Sequence, residues 1–78
     1  MPMSEVEWMD DFGTNLLCIM HEFRINQKDL AEMSGLSEAT ISRYTNKTKM
    51  PSVRAILKLS YALDVDIEDL IDFGDTIE

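Results

Sequence analysis

With 78 residues and a formal net charge of −8, the chain has material for one domain and one core, because a chain this short buries only about 60% of the surface it exposes when unfolded. The longest apolar run, Leu16 to Met20, is far below the roughly 20 residues that span a bilayer, and the acidic start MPMSEVEWMDD is unlike an export signal, so a cytoplasmic protein with no membrane segment is expected. Cys18 is the single cysteine, which excludes an internal disulfide or a thiolate zinc cluster and reads as a small buried apolar group.

In chain order, Phe12, Leu16, Ile19 and Phe23 recur at spacings of four, three and four, with Trp8 one turn earlier. They mark one face of a first helix from about Glu7 to Phe23. In NQKDLAEMSG, Asn26 can cap a short second helix, Asp29 favours the positive end of its dipole, and Gly35 closes it in a left-handed conformation. Ser37 caps a third helix that ends near Asn46 and turns Ile41 and Tyr44 towards Leu30 and Ala31. KTKMP reads as a loop because Pro51 disfavours helix at Met50. Ser52 then caps a fourth helix with Ile56, Leu57, Leu59, Ser60 and Leu63 spaced for burial, and Asp66 caps a last short helix through Asp72. The fold class is all-α, a compact five-helix bundle over residues 7–73, with residues 1–6 and 74–78 as flexible or partner-binding ends.

Charge is distributed unevenly. All seven bases lie between positions 24 and 58, where the acids are Asp29, Glu32 and Glu38; five acids precede this block and seven follow it, with no base on either flank. A basic middle between acidic ends argues against indiscriminate polyanion binding. It leaves room for local docking of a phosphate, because the Debye length is only about 8 Å at physiological salt.

Two short helices joined by a tight glycine turn, the second flanked by bases, form the helix-turn-helix arrangement that seats a recognition helix in the DNA major groove. The stretch NQKDLAEMSGLSEATISRYTN, followed by KMPS and LSYALDVDIEDLI, resembles the lambdoid phage repressor and Cro (XRE-type) family of helix-turn-helix domains over about residues 12–71. Matching residues are Gln27, Leu30, Ala31, Gly35, Ser37, Thr40, Ile41, Ser42, Arg43, Asn46, Pro51, Leu63, Val65 and Leu70. The resemblance implies a lambda repressor-like bundle and double-stranded DNA as partner. It further implies a sequence-specific transcriptional regulator of repressor kind, phage or bacterial, with residues 37–46 in the major groove, and a homodimer.

On the positions that match that family's base-reading residues stand Glu38, Ala39 and Arg43. Arg43 can fork onto O6 and N7 of guanine, Ala39 can meet a thymine methyl, and Glu38 can accept from cytosine N4 or act as a dipole-favoured acid that filters sites. Gln27 falls where the family grips a phosphate together with a helix N-terminus, and Thr40, Ser42, Asn46, Lys47, Lys49 and Arg54 are the further phosphate candidates. The bland alternative is that these bases form only a solvated face.

Departures from the family also inform. Where it commonly pairs a basic side chain in the first helix with a carboxylate late in the third, this chain has Met20 and Thr45. Joint loss avoids stranding one buried charge, which costs about 3–5 kcal/mol, and implies that the two positions are neighbours. Arg24 and Lys47 stand where the family often has glycine; a Cβ is disfavoured in the left-handed region, which points to reshaped loops. Cys18 and His21 are three apart but lack a second ligand pair, so no metal site and no cofactor are expected. Nor is there a nucleophile, base and orienter set for an enzyme. Met1, Met3, Val6, Trp8 and Met9, and the tail Leu70, Ile71, Phe73 and Ile77, are candidate dimer or partner surfaces. A rival reading is a protein-interaction module, an antitoxin or antirepressor that keeps the scaffold and binds a basic partner through its acidic ends.

Overall fold

The structure, a computed structural model, describes residues 4–72. Among them the regular elements are helices: α1 (Glu5–Phe23), α2 (Gln27–Ser34), α3 (Glu38–Thr45), α4 (Val53–Leu63) and α5 (Ile67–Ile71). α1 starts two residues before the sequence expectation because Ser4 and Glu7 cap each other. Ser4 Oγ accepts from the Glu7 amide at 3.1 Å, and Glu7 Oε1 accepts from the Ser4 amide at 2.9 Å, which satisfies two donors that an open helix end would leave unmet. Asn26 and Asp29 do the same for α2, Ser37 and Ser52 cap α3 and α4 as expected, and the Asp66 amide donates to the Asp69 carboxylate at the start of α5.

α1 packs on α3 and α5, α3 on α2, α2 on α4, and α4 on α5, so the helices close a ring around one core. Phe12, Leu16, Leu30, Ile41, Leu59 and Leu70 are its fully buried large side chains, drawn from every helix. Burial of each contributes about 1.5–3 kcal/mol. The Asn15 side-chain amide donates to the carbonyls of Leu70 and Asp72 and ties the end of α5 to the middle of α1.

Two expectations for α1 need correction. Phe23 faces outward and Met20 takes the inward place, because the chain turns back at left-handed Arg24 and lays Ile25 against the core. Cys18 is exposed; of its four helical neighbours three and four positions away, Thr14, His21 and Glu22 are exposed as well and Asn15 is half-buried, so this side of α1 largely faces solvent. Trp8 is half-buried and stacks on Phe12 with ring centroids 5.7 Å apart, so the core does extend to it. Val6 is exposed, while Met1, Met3, Phe73 and Ile77 lie outside the described residues.

The loops at Arg24 and Lys47 are not reshaped. Both residues adopt the left-handed conformation, with φ of 59° and 67°, and so does Asp64 at 55°. Each closes its helix with the same pair of bonds: Ile25 to the Met20 carbonyl and Arg24 to His21, Thr48 to Arg43 and Lys47 to Tyr44, Val65 to Ser60 and Asp64 to Tyr61. This is the glycine-favoured helix stop performed by residues with a Cβ. Two of the three following residues, Ile25 and Val65, pack on the core, and that burial offsets the backbone strain of about 1–2 kcal/mol. No helix among the described residues is long and apolar enough to cross a membrane.

Candidate nucleic-acid interface

α3 has two unlike sides. Ile41, Tyr44 and Thr45 are buried, and burial pushes the Tyr44 hydroxyl above its usual value near 10. Glu38, Ala39, Arg43 and Asn46 are exposed, with Ser42 half-exposed among them. Their spacing of about four puts them on one outward face. Ala39 and Arg43 are therefore displayed together, one turn apart, with Glu38 next to Ala39 at the start of the helix. Ser37 fixes the first turn, its Oγ accepting from the Thr40 amide at 3.0 Å and donating to Thr40 Oγ1 at 2.8 Å.

The turn into α3 needs Gly35, whose φ is +78°, although a Cβ there would meet nothing within 4 Å. Backbone conformation alone selects the glycine. Gly13, in the middle of α1, is required for a different reason: a Cβ there would lie 2.6 Å from the Tyr44 carbonyl oxygen and 2.7 Å from Lys47 Cγ. α1 thus passes directly over the end of α3.

The phosphate candidates divide into held and free groups. Gln27 opens α2 and reaches across to α3, where its Nε2 donates to Thr45 Oγ1 at 3.1 Å. Thr45 and Met20, which replace the family's charged pair, are both buried on helices that pack together, so no charge is stranded between α1 and α3. Ser42 Oγ accepts from Asn46 Nδ2 at 3.3 Å. Lys47 is drawn away from the outward face of α3, across Gly13, into an ion pair with Asp10 at 3.2 Å. Lys49 and Arg54 are exposed in and after the following loop. Asp10 was not legible as a partner, being 37 positions from Lys47; the helix-interior glycine beside it was the readable sign of a close approach.

The geometry can be set beside known proteins. The model of the Cro/C1-type HTH DNA-binding domain family matches residues 15–75. The chain belongs to that family. As a Cro/C1-type domain it is a DNA-binding protein of the transcription-regulator class, and double-stranded DNA is its partner. Among solved structures, this Cro/C1-type chain is similar to the restriction-modification controller protein C.AhdI from Aeromonas hydrophila. The two share 29% identity over 80% of this chain and 94% of that one, with a TM-score of 0.77. Curated proteins offer no match.

Proposed function

We propose that the protein is a sequence-specific repressor-type regulator, binding DNA as a homodimer with α3 in the major groove. One observation carries the reading. Arg43 stands exposed on the outward face of a helix whose opposite side is locked into the core, one turn from Ala39, with Glu38 next to Ala39. In this reading residues 7–73 form the binding unit, and Arg43, Glu38 and Ala39 meet base edges. The α2 amides of Gln27 and Lys28, which lack intrahelical acceptors, meet a phosphate together with the Gln27 side chain. Thr40, Ser42, Asn46, Lys49 and Arg54 flank that contact along the backbone of the duplex, and Lys47 joins them only when it leaves Asp10. Similarity to a restriction-modification controller supports a regulatory role. A homodimer supplies the affinity that one module, burying about 600–1,000 Å², does not.

Selection of bound sites from random duplex DNA tests this reading, with Arg43→Ala run beside the wild type. The expected result is an inverted repeat with half-sites about one helical turn apart. Arg43→Ala should lose preference at one base pair per half-site, at a cost of about 1–3 kcal/mol. Failure to enrich any sequence would overturn the proposal.

A further inference from the structure

We infer that Thr45 is a positioning residue for DNA binding: its hydroxyl sets the Gln27 side chain in the orientation that meets a phosphate. The inference rests on the proposed contact of Gln27. Thr45 is only 6% exposed and faces the inward side of α3, so it touches no duplex itself. Its one hydroxyl proton is donated to the Ser42 carbonyl at 3.0 Å. Towards Gln27 the hydroxyl can then only accept, and Gln27 Nε2 donates to it at 3.1 Å. This bond decides which end of the amide faces inward and holds a long, otherwise rotatable side chain still. One Nε2 hydrogen remains for an acceptor, at the same end of α2 where the first amides point outward. A phosphate oxygen is such an acceptor. Side-chain freedom is thereby lost on folding rather than on binding, and preorganisation of this kind raises affinity.

The same bond ties the start of α2 to the end of α3, across the two halves of the helix-turn-helix. Removing it leaves no buried group without a partner, because the Ser42 carbonyl also accepts from the Asn46 amide at 2.8 Å and Gln27 is half-exposed to water. Thr45→Val, nearly the same shape, is therefore a clean deletion of the acceptor.

The experiment measures binding of the selected duplex by fluorescence anisotropy for wild type, Thr45→Val, Thr45→Ser, Gln27→Ala and the Thr45→Val/Gln27→Ala double variant. Thr45→Val is expected to weaken binding about three- to tenfold, with Thr45→Ser close to wild type and the double variant no weaker than Gln27→Ala alone. Base preference and the salt slope should stay unchanged, since a neutral amide releases no counterion. A general disturbance of α3 would instead shift base preference and add to the Gln27→Ala loss, and either result overturns the inference. So does a Thr45→Val variant that binds like wild type while Arg43→Ala still relaxes base preference, in which case the DNA reading stands alone. If wild type binds no duplex, both fall. Side-chain amide NMR of the free wild-type protein needs no variant to fold: Gln27 should show a rigid Nε2 group, and a freely rotating one would overturn the inference.

Discussion

The two ends of α3 are built on opposite rules. At its start the chain is open: Gly35 has empty space around it, and Glu38 and Ala39 stand in solvent. At its end the inward side is occupied, with Tyr44 buried edge-on to Phe12, Thr45 bonded to Gln27, and Lys47 laid across Gly13 to Asp10, while Arg43 and Asn46 stay exposed on the outward side. The closed end fixes where the helix points. The open end can carry different side chains without disturbing the core, which is what a base-reading surface requires.

A pair of glycine substitutions tests that contrast most strongly. Gly13→Ala should destabilise the protein by about 1–3 kcal/mol in chemical denaturation, as overpacking against a main-chain carbonyl does, despite alanine's better helix propensity. A higher melting temperature for this variant would mean that α1 does not approach the end of α3 so closely. Gly35→Ala should cost less, about 1 kcal/mol, because only the left-handed backbone resists a Cβ that meets no neighbour. If Gly35→Ala proved the more damaging of the two, the division between an open and a closed end would be wrong.

The open end was legible from the sequence, whereas much of the closed end was not. Caps and turns are local: Asn26, Gly35, Ser37 and Ser52 announce themselves within three or four residues, so α2, α3 and α4 were placed with their boundaries. The outward Glu38, Ala39 and Arg43 follow from helix periodicity once Ile41 and Tyr44 are known to face inward. Long-range pairings carry no such local mark. Neither Asp10 with Lys47 nor Asn15 with the end of α5 shows in spacing. Phe23 departs for a related reason, since a 19-residue helix drifts out of any simple apolar stripe and its last turn is steered by Arg24 and Ile25, whereas Cys18 departs because residue type alone does not say which side of the helix it occupies. The joint absence of charge at Met20 and Thr45 is legible in the sequence, but not that Gln27 supplies Thr45's partner.

The smallest expected effect concerns the ion pair that anchors the closed end to α1. Lys47 and Asp10 side chains are 36% and 59% exposed, and exposed pairs contribute about 0–1 kcal/mol. Asp10→Asn should therefore shift stability by less than about 1 kcal/mol while changing how many cations meet the duplex. With its carboxylate gone, Lys47 is free to neutralise a phosphate, so binding should tighten and the plot of log K against log salt should steepen by about 0.9. Glu22→Gln, the same charge change near the other end of α1, serves as the control: it relieves long-range repulsion without releasing Lys47, and its slope should stay at the wild-type value. Adding Lys47→Ala should cancel the gain from Asp10→Asn. If the slope steepens equally in Glu22→Gln, overall charge rather than the pair governs Lys47, and the closed end is held by packing and the Gln27 bond alone.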